Sequence, residues 1–534
     1  MNDLLVTDQT MLDLLADTVR THPGAPAIHY FGRTLTWREF EAISDRLARG
    51  LAKHGVTAGD RVALLMQNMP QYMLGLAAIW KIGAASVPIN PMLTPKEVHF
   101  ILHDSAASAV IALDSLLARV VIASTDEGLG EVLLITTAAG HYAADWPTAL
   151  EMPVEIVPGA VSWDELLDIG DGTDSFPLVN AEQPSVLTYT SGTTGPPKGA
   201  INTHANVVFA CRFYEVWANL HQPDVILGIA PLFHITGLVG HMGPAITTGA
   251  ALVLGYRFDV NLIADLIELY RPTFTIGAIT AFIALMTDPV VKYRDLSSLT
   301  TIYSGGAPIA PTTVADFERT FGPYIHNIYG LTEATGPCLA VPRGSRAPVD
   351  SNTGALAAGV PVCNTEVKIV RDDGTIAPPG EPGELAMRGP QVVPGYWRRD
   401  AETANAIRDG WLFTGDVAVQ DDNGWFYIVD RLKDQINASG YKVWPREVED
   451  ALVSHPDVVE AAVVGVPDDY RGETVKAFVV VVPGSKISAD DLILYSRERL
   501  AAYKYPRLID IVEDLPHTAS GKVLRRALRS TKES

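Results

Sequence analysis

The stretch Tyr189-Thr190-Ser191-Gly192-Thr193-Thr194-Gly195-Pro196-Pro197-Lys198-Gly199-Ala200 carries the densest chemistry in the chain. Gly192, Gly195 and Gly199 allow backbone conformations that turn amides toward an anion, Ser191, Thr193 and Thr194 add hydroxyl donors, and Lys198 adds a positive charge. These are the parts of a polyphosphate cradle. It differs from a Walker A loop, because Pro197 stands where that motif needs a glycine before its lysine.

Outward from this loop the chain alternates helical and strand patterns. Thr36-Trp37-Arg38-Glu39 reads as a capping box, followed by Phe40, Ile43, Leu47 and Leu51 on one helical face. A strand is expected at Val62–Met66, a helix at Met73–Lys81, and strands at Ala84–Ile89, Val110–Leu113, Ala251–Leu254, Phe274–Ile276 and Thr301–Tyr303. The alternation predicts stacked α/β layers with mostly parallel sheets. After about Val341 the texture becomes short strands between Gly, Pro and Asp turns, at Val367–Val370, Gly383–Met387, Trp411–Thr414 and Trp425–Val429. From Asp434 a compact α+β pattern begins: helix Pro445–Ser454, strands Ala461–Val464 and Val475–Val482, helix Ala489–Arg499. The polar run Asp430-Arg431-Leu432-Lys433-Asp434 separates the two textures. The expected architecture is α/β: a large N-terminal domain (residues 1–430) of stacked α/β sheets plus a small β subdomain, a hinge (431–434), and a mobile small α+β C-terminal domain (435–534).

Composition narrows the function classes. With 534 residues, 47% of them hydrophobic and 19% charged, the chain is globular and large enough for more than one core. Its formal net charge of −21 disfavours nucleic-acid partners. Cys211, Cys338 and Cys363 are too scattered for a disulfide framework or a metal cluster. The acidic N-terminus lacks the basic start of a signal peptide, and Lys81 interrupts the longest apolar run, so a soluble cytoplasmic protein without a transmembrane segment is expected. The one dense basic run, Arg525, Arg526, Arg529 and Lys532, reads as a solvated helix face.

The loop is followed in order by Asn327-Ile328-Tyr329-Gly330-Leu331-Thr332-Glu333, Thr414-Gly415-Asp416, the 430–434 run and Pro516-His517-Thr518-Ala519-Ser520-Gly521-Lys522. Together with Trp80–Pro91 upstream, these motifs resemble the adenylate-forming superfamily of acyl-CoA synthetases, peptide-synthetase adenylation domains and firefly-type luciferases. The resemblance spans nearly the whole chain. It implies that a carboxylate attacks the α-phosphate of ATP and displaces pyrophosphate, a meeting of anions that positioning and electrostatics must catalyse.

The resemblance also implies residue roles. Thr190, Ser191, Gly192, Thr193, Thr194, Gly195 and Lys198 would hold the phosphates. Glu333 would hold Mg²⁺ and Thr332 would meet the α-phosphate; hard-ion chemistry suits that carboxylate. Tyr329 would stack on adenine, with Asn327 on its exocyclic amine and Gly305, Gly306, Ala307 and Gly330 around the base. Asp416 would accept from both ribose hydroxyls, and Arg431 would reach ribose or phosphate. Lys522 would be the catalytic lysine, bridging acid and α-phosphate, and Lys433 the pivot on which the small domain turns. Ser439 and Gly440 would border a pantetheine channel, with Lys442 and Arg471 near the phosphates of coenzyme A.

Pro231-Leu232-Phe233-His234 matches the segment whose ring gates the acid site. Amino-acid-activating relatives place Asp directly after it, where this chain has Ile235, so an α-amino acid is disfavoured. By position Thr236, Gly237, Ala278, Ile279, Thr280, Gly306, Leu331 and Gly336 would line the rest, which favours a fatty or aryl acid. The leading expectation is an acid–CoA ligase using ATP, Mg²⁺ and coenzyme A. Transfer to a separate carrier protein, a luciferase-like oxygenation, and a nucleotide sensor on a retired enzyme fold are the alternatives, and the resemblance leaves a homodimer open. His99 and His103 are spaced like a zinc-protease pair, but Phe100 replaces the required Glu, and Ser191 lacks a nucleophile elbow.

Overall fold

The alternating helices and strands sort into two large sheets in the computed structural model, which describes residues 4–124, 132–152, 156–190, 196–307, 309–350, 354–431, 434, 436–438, 441–468, 472–517 and 523–529. Among the described residues, the first sheet has nine strands. Its parallel middle runs Ile325–Leu331, Thr301–Gly305, Phe274–Gly277, Val225–Leu227, Ala251–Leu254, Pro26–Tyr30, with antiparallel strands only toward its edges. The second has seven strands, in the order Val161–Ser162, Leu133–Thr137, Ala109–Leu113, Arg61–Leu65, Ala85–Pro88, Pro184–Tyr189, Gly199–Thr203. Only its last pair is antiparallel. Strands such as Ala109–Leu113 and Ala251–Leu254 are buried along their whole length, as parallel sheets covered on both faces require.

The helix expected from Met73 begins at Pro70, a residue suited to the first turn because its missing N–H would be unbonded there. Every residue of Pro70–Lys81 is buried. Its closing Lys81 is tolerated because Nζ lies 2.5 Å from Asp45 Oδ1 and donates to Ser44 Oγ at 2.9 Å. The neighbouring Trp80 Nε1 donates to the Ser185 carbonyl at 3.1 Å, pinning the strand that enters the 190–198 loop. The capping box forms as expected, with Thr36 and Glu39 bonded reciprocally. Among the described residues no helix is long and apolar enough to cross a membrane.

His204 opens the helix His204–Trp217, packed edge-on to Trp80 at 5.6 Å between ring centroids. Burial pushes this imidazole down to about 4. The folded state therefore refuses a proton that the unfolded chain accepts at its ordinary value of about 6.5, so stability falls as pH drops through that window. Each pH unit there costs up to about 1.4 kcal/mol. His204→Gln is expected to flatten the decline of denaturation midpoint between roughly pH 6 and 4; an unchanged decline would show that other groups govern it.

The later strands form two further sheets. Glu366–Val370, Gly383–Arg388, Trp411–Gln420, Ile407–Arg408 and Phe426–Arg431 make an antiparallel sheet, with Trp411–Gln420 longer than expected and carrying Asp416 in its interior. The last sheet is built from strands after Ile436, dominated by the hairpin Val458–Asp468 with Gly472–Val481. Two arginines of the basic C-terminal run, Arg525 and Arg529, are ion-paired, where a solvated face was expected. Arg525 Nη2 donates to Glu449 Oε2 at 2.7 Å, and Arg529 Nη2 to Asp434 Oδ1 at 3.1 Å. Glu449 and Asp434 are buried, and buried carboxylates need cationic partners.

Candidate active site

Parallel strands bring residues distant in sequence to one crevice. Phe274–Gly277, Thr301–Gly305 and Ile325–Leu331 are neighbours in register, with Ser304 opposite Asn327 and Gly305 opposite Ile328. Their C-terminal ends therefore present Ala278, Gly306–Ala307 and Asn327–Leu331 side by side, where open α/β sheets bind ligands. Close approach explains two glycines here. A Cβ on Gly305 would lie 2.3 Å from the Ile328 carbonyl oxygen, and one on Gly330 would lie 2.1 Å from that of Gly336.

Asn327 is buried and donates from Nδ2 to the Ala357 carbonyl at 3.0 Å, which turns its acceptor oxygen to other uses. The Tyr329 hydroxyl donates to Asp416 Oδ2 at 2.5 Å. Burial, reinforced by that carboxylate, pushes the Tyr329 phenol well above its usual range, so it remains a donor. Asp416 stands directly opposite Arg431 across the antiparallel ladder.

A second set of contacts brings the hairpin that carries the 190–198 loop to Glu333. Pro184–Tyr189 and Gly199–Thr203 pair antiparallel, and Thr190 N–H donates to the Lys198 carbonyl at 2.9 Å, closing the base of the loop. Residues 191–195, with the predicted Ser191, Gly192, Thr193, Thr194 and Gly195, lie outside the described residues, as do Lys433, Ser439, Gly440, Arg471 and Lys522. Asn202 on the returning strand donates to the Thr332 carbonyl at 3.1 Å and to Thr335 Oγ1 at 2.9 Å. The turn Thr332–Ala334 is thereby held beside the hairpin. The Glu333 carbonyl accepts from Val393 N–H at 2.9 Å, and its Oε1 accepts from the Tyr396 hydroxyl at 2.7 Å. The Lys198 ammonium lies 5.4 Å from the centre of the Tyr396 ring.

Tyr396, which bonds Glu333, was not among the candidates expected from the sequence. Its segment runs along the hairpin, with Trp397 N–H donating to the Gly199 carbonyl at 2.8 Å and Ile201 N–H to that of Gly395 at 3.0 Å. The available signal was Pro394-Gly395 ahead of two aromatics, a turn that exposes backbone for pairing.

His234 caps the short turn Ile235–Gly237, its Nδ1 accepting from Thr236 N–H at 3.3 Å, which leaves the proton on Nε2. Beside it lies a small apolar cavity of about 10 Å³, bordered by His234 and chiefly by Tyr72, Leu76, Leu232, Ile235, Leu238 and Met242. Of the residues expected around the acid, His234 borders this cavity, while Ala278, Gly306 and Leu331 lie at or just beyond the strand ends. Gly237 instead meets the backbone of Pro231 and Leu232, where a Cβ would lie 2.2 Å from the Pro231 carbonyl oxygen. Ile279 packs in the core and Thr280 faces outward.

On the far sheet, backbone pairing sets Lys442 opposite Asn437. His517 pairs with Val523, and Leu524 N–H donates to the Pro516 carbonyl, so both ends of the segment containing Lys522 are held together. The His99 and His103 rings stack at 6.1 Å, and no metal-binding cluster of His, Cys, Asp or Glu occurs among the described residues.

Comparison with known proteins agrees with this geometry. Residues 15–397 match the AMP-binding enzyme family and residues 447–522 the AMP-binding enzyme C-terminal domain. A long-chain-fatty-acid–CoA ligase of Bacillus subtilis (strain 168) is 35% identical, covering 99% of this chain and 95% of the relative. A feruloyl-CoA synthase of an Amycolatopsis species is 38% identical, covering 96% of each. The crystal structure of an anthranilate CoA ligase in complex with anthranoyl-AMP superposes with a TM-score of 0.88 at 26% identity, covering 99% of this chain and 98% of that one. The chain belongs to the AMP-binding enzyme family. Within the adenylate-forming superfamily it is an acid–thiol ligase of the CoA ligase type, acting through an acyl-AMP intermediate.

Proposed function

We propose that the chain activates a fatty or aryl carboxylic acid, with the acid's apolar part beside His234. The observation that carries this choice is the apolar surroundings of His234, where buried Ile235 occupies the place at which an ammonium-binding carboxylate would be needed for an amino acid. The substrate carboxylate oxygen attacks the α-phosphorus of ATP, and the bond to the bridging oxygen breaks, releasing pyrophosphate. The coenzyme A thiolate then attacks the acyl carbon, and AMP leaves with the former carboxylate oxygen.

In this reading Asn327 accepts from the adenine amine, Tyr329 stacks on the base, and Asp416 with Arg431 binds the ribose. Lys198, Thr190 and the 191–195 segment meet the phosphates. Glu333 suits Mg²⁺ because one carboxylate oxygen is oriented by Tyr396 and the other is the hard donor such an ion prefers. The bound ion would neutralise charge building on the phosphate oxygens. Lys522 supplies the mobile cation of the first step, Lys433 the pivot, and Gly440, Lys442 and Arg471 the route and anchors for coenzyme A, with residues 1–430 and 435–534 as the two moving parts.

Mass detection of acyl-CoA and AMP across a panel of fatty, aryl and α-amino acids tests the assignment. Fatty or aryl thioesters are the expected products; thioesters from amino acids alone would contradict it. Crowding these surroundings sharpens the test. Leu238→Trp is expected to lower kcat/KM for the acid about 10- to 100-fold, in line with roughly 1–3 kcal/mol per displaced methylene-sized contact, with the KM for ATP unchanged. Unaltered acid kinetics would place the acyl group elsewhere.

A further inference from the structure

Asp104 sits near the C-terminal end of the helix Pro95–Ser105, a poor place for a carboxylate because the unpaired helix carbonyls carry partial negative charge. Its side chain is only 10% exposed. The two carboxylate oxygens go to two different segments: Oδ2 accepts from the Tyr189 hydroxyl at 2.8 Å, and Oδ1 is bonded by the Arg399 guanidinium. Its backbone carbonyl accepts from Trp397 Nε1 at 3.2 Å.

Tyr189 is the last strand residue before the phosphate loop, and its ring covers Gly199, where a Cβ would lie 3.2 Å away. Arg399 and Trp397 flank the segment whose Tyr396 holds Glu333. One largely covered carboxylate therefore joins the base of the loop to the strap that orients the acidic residue across from it.

We propose that Asp104 is a positioning residue for the triphosphate, fixing the hairpin base at Tyr189 against the Tyr396–Arg399 segment so that Lys198 and Glu333 keep their spacing. The proposal rests on the ATP-dependent reading above. Charged hydrogen bonds in such sites are strong, and their loss is felt wherever the held groups must meet substrate.

The test uses the full chain and follows acid-dependent ATP–pyrophosphate exchange. Tyr189→Phe removes one hydroxyl, and Asp104→Asn keeps shape while removing charge. Each is expected to raise the KM for ATP about 10-fold, consistent with losing one bond to a charged group. The KM for the acid and the thioester step from supplied acyl-AMP stay within about twofold. The double variant should be little worse than Asp104→Asn alone, because both remove the same link. A KM for ATP unchanged in Tyr189→Phe, or an equal loss in both half-reactions, overturns the role of Asp104. Absence of exchange in the parent chain would instead overturn the ATP reading.

Discussion

Replacement of Lys522 by alanine is expected to reduce acyl-AMP formation by about 1000-fold or more, while thioester formation from supplied acyl-AMP survives within a few-fold. The size follows from what the ammonium would do in the proposed role. Two anions, the acid and the triphosphate, must approach to bonding distance, and a mobile cation between them stabilises charge that exists only in the transition state. Loss of one well-placed donor from such a site costs roughly 100- to 1000-fold, and loss of a full charge should cost no less. The thioester step expels AMP instead, and needs no cation on an attacking carboxylate. Pre-steady-state measurement of each half-reaction separates the two. Equal impairment of both would remove Lys522 from this role. The pairing of His517 with Val523 argues that the lysine's segment keeps its closure in the variant, so the deficit reads the side chain.

Glu333→Gln is the second large effect, expected at about 100- to 1000-fold in exchange rate, with a raised Mg²⁺ concentration for half-maximal activity. An amide oxygen can still accept from the Tyr396 hydroxyl, so geometry is retained while the charge that attracts a hard cation is removed. Titrating Mg²⁺ against exchange distinguishes this from a general packing defect. A variant with parental Mg²⁺ dependence would assign the metal to another group.

The residues proposed for the nucleotide side can be named from sequence because they sit in short motifs that resemble a known family. The structure places Asn327 and Tyr329 on one strand, Glu333 in the turn that follows it, and Asp416 within hydrogen-bonding distance of Tyr329. What escaped was set by contacts between distant segments. Tyr396 reaches Glu333 across 63 positions and Asp104 reaches Arg399 across 295, and neither separation leaves a periodic trace. The border of the small cavity beside His234 leaves little trace for a related reason. Tyr72 and Leu76 belong to a helix buried all round, whose inward and outward faces carry no polarity difference in the sequence. The basic C-terminal run misled because its partners, Asp434 and Glu449, lie 95 and 76 positions away.

The most direct measurement of the central claim is ATP–pyrophosphate exchange in the absence of coenzyme A, with fatty and aryl acids supplied one at a time. Exchange is expected to require both Mg²⁺ and an apolar acid, and to be restored by no α-amino acid. Exchange independent of any acid, or an acyl thioester formed with no reversible pyrophosphate release, would contradict it.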